Sequence, residues 1–175
     1  MQQDVTDGVN ALVRTGQADG NRICIAGASY GGYAALAGAT FTPDIYQCAI
    51  AISALSDLWD VVRNAEGFGY ETPYTRRLAQ QLTGGTELPD RDWVRTISPR
   101  NHVENVTIPI LLIHGRDDSV VDEDMSQDME RALRNADRDV TFLRPRDVDH
   151  WLSSSDARTL VFSAVEDFLD THIGD

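Results

Sequence analysis

The sequence has no long hydrophobic run and an excess of negative over positive charge. Its longest apolar stretches, near residues 49–55 and 108–113, are far shorter than the roughly 20 residues that a membrane-spanning helix needs. The 28 acidic residues outnumber the 15 basic residues, which gives a formal net charge of −13. Because nucleic acids and anionic membrane surfaces repel an acidic protein, we expect neither as a partner.

Signal-peptide and metal-binding patterns are also missing. The first ten residues, MQQDVTDGVN, contain neither a basic segment nor an apolar one, so we predict a cytoplasmic protein. The only cysteines, Cys24 and Cys48, lie in apolar stretches where a reduced thiol packs as a small core residue, and we expect both to be reduced. Because no Cys/His cluster has zinc-ligand spacing and no Asp/Asn series resembles a calcium loop, we predict no metal and no cofactor.

Short apolar stretches alternate with helical patterns along the 175 residues, a length typical of one domain. The apolar stretches predict buried strands at 22–26, 48–53 and 108–114, and a fourth strand at 140–143. The spacing of apolar residues predicts helices at about 4–16 and 123–136, and a closing helix that Ser155 or Asp156 caps. The helix-forming residues 33–39 predict a helix after Ser29 that runs to about Phe41. This alternation is typical of an α/β domain with a mostly parallel sheet flanked by helices.

Residues 57–99 are less regular than the rest of the domain. They contain glycines, prolines and aromatic residues, with a short helix predicted at 76–82. An insertion between two buried strands, on the side of the sheet where the predicted active site lies, can form a cap that shapes a substrate pocket. The alternative is a helical connection that only covers the sheet, and both interpretations stay open.

The most informative stretch is GASYG at residues 27–31, a G-x-S-x-G pattern between a predicted strand and an Ala-rich helix. In that context the pattern is typical of a nucleophile elbow. The turn is so tight that Ser29 must adopt a strained backbone, and we expect Gly27 and Gly31 to avoid collisions. The helix N-terminus beside Ser29 favours a developing negative charge. The alternative is an ordinary strand-to-helix turn.

A serine nucleophile needs a base, and the base needs an acid that fixes its tautomer. Among the four histidines, His150 lies in a loop beyond the last predicted strand, at the same carboxyl edge of the sheet as Ser29. His114 ends a strand, and we expect it to pack against or hydrogen-bond the following turn. Asp117 and Asp118 both come after that strand. The chain order Ser29, Asp118, His150 is the order found in α/β-hydrolases.

Three segments, GASYGGYAAL, PILLIHGRDDSVV and DVDHW, resemble the motifs of the prolyl oligopeptidase family of serine peptidases. The resemblance extends over essentially the whole chain. It implies a truncated α/β-hydrolase fold, without the N-terminal strands and the β-propeller that family members carry. It also implies that Asp118 is the catalytic acid, with Asp117 as a neighbour, and that the N–H of Tyr30 contributes to the oxyanion hole. The family's second oxyanion donor, an upstream tyrosine, has no counterpart in this sequence.

The resemblance further implies a substrate pocket beside the scissile bond. The candidate pocket residues are Leu55, Leu58, Trp59 and Val121. The alternative, that these are core residues, stays open.

We predict acyl transfer by Ser29, His150 and Asp118. Losing one oxyanion donor can lower turnover by a factor of ~10² to 10³, and an impaired enzyme cleaves activated esters before amides. The main prediction is therefore a small carboxylesterase; a serine peptidase fragment and a catalytically silent assembly module are the alternatives. Because the first predicted strand would be an exposed sheet edge, we also predict a homo-oligomer, a dimer joined edge to edge.

Overall fold

The computed structural model describes residues 2–67 and 90–174, and only the backbone of 63–67. In these ranges four strands form one sheet: β1 (Cys24–Ala28), β2 (Cys48–Ile52), β3 (Ile110–Ile113) and β4 (Val140–Leu143). The strands lie side by side in the order β1-β2-β3-β4, and every neighbouring pair is parallel. The predicted α/β fold with a parallel sheet is thus confirmed.

Helices connect the strands and cover both faces of the sheet. They are α1 (Gln2–Arg14), α2 (Tyr30–Phe41), α3 (Leu58–Gly67), α4 (Arg91–Thr96), α5 (Asp124–Asn135) and α6 (Ser155–Ile173). Two 3₁₀ segments, Pro43–Ile45 and Pro99–Asn105, lead into β2 and β3. In the described part of the chain, no helix has the length and hydropathy of a membrane span.

Alternate residues of the central strands face two different cores, as the two-residue repeat of a strand requires. On one face, Ala49 and Ala51 of β2 pack with side chains of α2 and α5. On the other face, Ile50 packs with Leu111 and Ile113 of β3 and with Val161 of α6. The central strands β2 and β3 are therefore packed between two cores.

β1 differs from the central strands. Ala26 and Ala28 are exposed, and the other residues of β1 are partly buried, whereas all four residues of β3 are buried. The prediction that this strand is buried on both faces is wrong, because β1 is one of the two edge strands of the described sheet. The edge-to-edge dimer remains a prediction.

Cys24 and Cys48 are joined by a disulfide, so the prediction of two reduced thiols is wrong for this structure. The two residues face each other in the register of β1 and β2, with their Cα atoms 4.6 Å apart. The sequence places each cysteine in an apolar strand. It does not show that parallel pairing brings the two side chains to adjacent positions.

Two smaller differences concern helix ends and the irregular region. The N-cap of α6 is Ser154, whose hydroxyl accepts a hydrogen bond from the N–H of Ala157, and not Ser155 or Asp156. Within 57–99, α3 and α4 pack against α2 through Leu58, Val94 and Tyr33. The helix predicted at 76–82 lies outside the described residues, so the cap interpretation remains a prediction.

Candidate active site

β1 passes into α2 through a sharp turn at Ser29. Ser29 has φ 57° and ψ −119°, a conformation with positive φ that residues with side chains rarely adopt. A Cβ atom on Gly27 would collide with the carbonyl oxygen of Gly31. The strained serine and the glycine before it are the features that the sequence pattern predicts for a nucleophile elbow.

The second glycine of the pattern has a different role from the one expected. A Cβ atom on Gly31 would meet nothing within 4 Å, so the prediction that glycine is required there to avoid a collision is wrong. The close contact is instead at the next position, where a Cβ atom on Gly32 would lie 2.7 Å from the Cβ of Ala54. Gly32 thus allows α2 to pack closely against the segment after β2.

The residues that follow β1, β2 and β3 are held at one edge of the sheet. The interstrand hydrogen bonds continue one residue past each strand, from the N–H groups of Ser29, Ser53 and His114 to the carbonyls of Ile52, Ile113 and Leu143, over 2.8, 2.8 and 3.0 Å. The Ser29 hydroxyl does not cap α2. The predicted nucleophile is thus fixed through its backbone, and its own helix does not engage its hydroxyl.

Asp118 and His150 form a hydrogen bond at the same carboxyl edge. The Nδ1 atom of His150 lies 2.8 Å from Oδ2 of Asp118, and their side chains are only 5% and 0% exposed. Since a carboxylate only accepts, Nδ1 carries the hydrogen in this contact. The other ring nitrogen, Nε2, is then the atom that can take a proton from a nucleophile.

This contact forms because the loop after β3 lies directly against the loop after β4. The N–H groups of Arg116 and Asp117 donate to the carbonyls of Pro145 and Val148 over 3.0 and 3.2 Å. A Cβ atom on Gly115 would collide with the carbonyl oxygen of Val148. Gly115 is therefore needed for the close approach that brings acid and base together.

Backbone and side-chain donors hold the Asp118 carboxylate. Its Oδ1 atom accepts from the N–H groups of Val120 and Val121, each over 2.9 Å. Burial raises the pKa of Asp118, but hydrogen bonds from the Val121 N–H, His150, Ser53 and the Val120 N–H outweigh it and leave the pKa below its ordinary value. Asp118 is thus ionised at neutral pH and suited to stabilise an imidazolium.

The predicted pocket residues occupy different environments. Leu58 is fully buried with Tyr33 and Val94. Val121 is buried in the loop after β3, the acid loop, where its N–H and its carbonyl are hydrogen-bonded to the side chains of Asp118 and His114. These environments favour the core interpretation for Leu58 and Val121. Leu55 and Trp59 are partly buried against the cluster that contains Leu58, and they stay candidates for the pocket.

Tyr30 is the first residue of α2, directly after the predicted nucleophile. N–H groups in the first turn of a helix point along the axis toward its N-terminus. The positive end of the helix dipole lies there too, which suits an oxyanion. The role of the Tyr30 N–H as an oxyanion donor stays a prediction.

The prediction that His114 contacts the following turn is confirmed, because its Nε2 atom lies 3.0 Å from the Val121 carbonyl oxygen. Ser53 and Trp151, also near the acid and base, were not identified from the sequence. His114 is fully buried beside Asp118, Ser53 has φ 46°, and the indole of Trp151 lies edge-on to the His150 ring with centroids 5.0 Å apart. The Trp151 side chain is nonetheless 74% exposed. Ser53 comes directly after the buried strand β2, which is the signal that could have identified it. Within the described ranges, no group of three or more His, Cys, Asp or Glu side chains could hold a metal ion.

Comparison with known families and proteins gives consistent matches over the whole chain. The sequence model of the prolyl oligopeptidase family matches residues 1–175. Dipeptidyl aminopeptidase BIII of Pseudoxanthomonas mexicana is 26% identical over 174 residues, which cover 99% of this chain and 25% of that protein. Dipeptidyl peptidase family member 6 of Caenorhabditis elegans is 28% identical over 177 residues, with coverages of 99% and 23%.

Solved structures match the fold closely. A puromycin-hydrolyzing peptidase of Mycobacterium tuberculosis superposes with a TM-score of 0.85 at 26% identity, covering 99% of this chain and 25% of that one. An acylaminoacyl peptidase of Pyrococcus horikoshii gives a TM-score of 0.83 at 23% identity, with coverages of 99% and 28%. The chain therefore spans about a quarter of the length of the proteins it matches.

Proposed function

We propose, since the chain belongs to the prolyl oligopeptidase family, that it provides the nucleophile, base and acid of a serine peptidase. The observation that carries the proposal is the hydrogen bond between His150 and Asp118 at the sheet edge where the strained Ser29 follows β1. The family match and the relatives favour peptidase activity, the alternative in the sequence analysis, over carboxylesterase activity.

The proposed reaction is acyl transfer. Ser29 Oγ attacks the substrate carbonyl carbon while His150 Nε2 takes the hydroxyl proton, and Asp118 stabilises the resulting imidazolium. The Tyr30 N–H stabilises the oxyanion of the tetrahedral intermediate. His150 then protonates the leaving amine, the C–N bond breaks, and water hydrolyses the acyl-enzyme with His150 again acting as base.

Peptide cleavage depends strongly on the acid and base. An amide nitrogen is a poor leaving group unless it is protonated, so the imidazolium must persist until the tetrahedral intermediate collapses. The carboxylate of Asp118, with its lowered pKa, remains charged opposite that imidazolium. The arrangement thus supports an amide substrate and not only an activated ester.

The test compares the full chain with its Ser29→Ala variant. We expect a fluorophosphonate probe to label the wild-type chain and not Ser29→Ala, and dipeptide p-nitroanilides to be cleaved only by the wild type. Ser155→Ala, which changes an exposed serine at the start of α6, is the matched control and should keep full labelling.

Each other outcome has a definite meaning. Equal labelling of the wild type and Ser29→Ala would contradict the assignment of the nucleophile. Cleavage of p-nitrophenyl esters without cleavage of the anilides would favour the carboxylesterase prediction instead. Absence of both labelling and cleavage in the wild type would favour the silent assembly module.

A further inference from the structure

His114 is a buried polar residue that the proposed reaction does not use. It follows β3 directly, and its side chain has no solvent exposure. Its Nε2 atom lies 3.0 Å from the carbonyl oxygen of Val121 and 3.4 Å from Oδ2 of Asp118. Its Nδ1 atom lies 2.8 Å from the hydroxyl oxygen of Ser126 on α5, which is also buried.

The partners of His114 determine where its ring carries hydrogen. The Val121 carbonyl can only accept, so Nε2 bears a hydrogen and donates it. The same N–H lies near Oδ2 of Asp118, the oxygen that accepts from His150. Oδ2 of Asp118 is thus close to two imidazole rings: that of His150, the proposed base, and that of the fully buried His114.

Val121 connects His114 to Asp118 through its two backbone hydrogen bonds. The Val121 N–H donates to Asp118 Oδ1, and the Val121 carbonyl accepts from His114. His114 itself is fixed to the sheet, because its backbone N–H donates to Leu143 of β4 over 3.0 Å. The position of the carboxylate therefore depends, through Val121, on a ring that is anchored to the buried sheet.

We propose that His114, oriented by Ser126, is a positioning residue that fixes the Asp118 carboxylate for its contact with His150. The proposal rests on the proposed function, since it concerns the acid of that triad. The loop needs such an anchor because residues on both sides of Asp118 are exposed: Asp117 and Val120 lie at the surface. A carboxylate on a flexible loop occupies a range of positions. A displacement of a catalytic group by about 1 Å can lower the rate of catalysis ~10²-fold.

The alternative is that His114 only fills space, and two substitutions separate the alternatives. His114→Phe keeps a planar ring of similar size but removes the polar contacts with Val121, Asp118 and Ser126. His114→Gln keeps an amide N–H that can donate to the Val121 carbonyl. We expect His114→Phe to lower kcat by a factor of ~10 to 10² with KM within about twofold of the wild-type value. His114→Gln should regain a substantial part of that loss.

A spectroscopic signature complements the kinetics. In the wild-type chain the His150 Nδ1–H bonded to Asp118 should give a downfield proton resonance. We expect that resonance to shift or broaden in His114→Phe and to persist in His114→Gln. His172→Phe is the matched control: His172 lies in the last turn of α6, where it packs on Phe168, and the change should leave both kcat and the resonance unaltered.

The outcomes separate failure of this proposal from failure of the proposed function. If the wild type shows no Ser29-dependent activity, the proposed function fails first. If the wild type is active and a folded His114→Phe variant retains kcat within about twofold with an unmoved resonance, the positioning role is overturned. If His114→Phe does not fold, Ser126→Ala decides, because it removes only the outer hydroxyl. A several-fold loss of kcat in Ser126→Ala supports the proposal, and unchanged kcat overturns it.

Discussion

The two halves of the candidate site are held in place by different interactions. The nucleophile half, β1 and the start of α2, depends on backbone geometry. Ser29 has a positive φ, and the carbonyl oxygen of Gly31 lies too close to Gly27 for a side chain at that position. The acid–base half, the loops after β3 and β4, depends on polar contacts of buried side chains: Asp118 is hydrogen-bonded to His150 and lies close to His114. The nucleophile half follows β1, a partly exposed edge strand of the described sheet. In the acid–base half, the acid follows the fully buried β3, and the base follows β4, the other edge strand of the described sheet.

This difference has a consequence for how each half fails. Backbone geometry has no titratable group, so the nucleophile turn should be sensitive to added side-chain atoms and insensitive to charge. The acid–base half should respond in the opposite way, because its contacts depend on which atoms carry hydrogen. Substitutions that alter charge without volume, or volume without charge, can separate these two cases.

The largest expected effect is in the acid–base half. Asp118→Asn keeps the shape of the side chain but removes its charge and permits the wrong tautomer of His150, so we expect kcat to fall by ~10⁴-fold. Asp117→Asn is the matched control, because Asp117 is exposed and contributes only its backbone N–H to the loop contact. We expect that variant to stay within about twofold of the wild type. Steady-state kinetics on a p-nitroanilide measure both, and comparable losses in the two variants would contradict the assignment of the acid.

The next effect is in the nucleophile half and involves one methyl group. Gly27→Ala places a Cβ atom against the carbonyl of Gly31, so we expect the elbow to deform, with a loss of about 3 kcal/mol in the free energy of unfolding and most of the activity. Gly31→Ala adds the same atom where no other lies within 4 Å and should change stability by less than about 0.5 kcal/mol. Urea unfolding and probe labelling test the pair. Equal stability of the two variants would refute the steric account.

Much of this architecture could be predicted from the sequence. The bounds of β4 were predicted as observed, because Val140–Leu143 is a short apolar run with clear turns on either side. The parallel sheet follows from the alternation of strands and helices. The acid–base pair could be anticipated because parallel strands bring their carboxyl ends to one edge.

What could not be predicted depends on pairing between distant segments. The disulfide requires the register of β1 against β2, and the exposure of Ala26 requires knowledge that β1 is an edge strand. The role of Gly32 at the elbow depends on how closely Ala54 approaches α2. The contact of His114 with Ser126 likewise depends on where α5 packs. None of these distances is encoded in local composition.

The disulfide between Cys24 and Cys48 tests whether an interaction in the nucleophile half can contribute to the stability of the fold without affecting catalysis. It joins β1 to β2 at the strand starts, whereas Ser29 follows the end of β1, and its cysteines are 24 residues apart. Reduction should therefore lower the free energy of unfolding by about 3 kcal/mol while leaving kcat of the folded chain unchanged. Urea unfolding with and without a reductant measures the first, and kinetics in low urea the second. A Cys24→Ala/Cys48→Ala variant that loses no further stability on reduction is the control.

The smallest effects are at the extremes of pH, where Asp118 of the acid–base half and Tyr33, which lies on α2 after the Ser29 turn, should respond at opposite ends. Hydrogen bonds outweigh burial and lower the pKa of Asp118 below the ordinary 3.8, so the stabilisation from its ionised form is present above that pH and is lost as the pH falls through the lower folded value. Burial, and then the neighbouring Tyr30, raise the pKa of Tyr33 on α2 from 10.0 to about 12. Its stabilisation is therefore complete below pH 10 and is lost as the pH rises toward 12.

The difference in unfolding free energy between the wild type and each variant measures these contributions. For Asp118→Asn the difference should shrink only in acid, and for Tyr33→Phe, which removes a hydroxyl that donates to the Ile97 carbonyl over 3.0 Å, it should shrink only in strong alkali. Between pH 5 and pH 9 both differences should be flat, since neither group changes charge there. If the difference in unfolding free energy between the wild type and Tyr33→Phe declined in acid, the contribution of Tyr33 would depend on a group that titrates in acid. That result would contradict the conclusion that the two halves are stabilised independently.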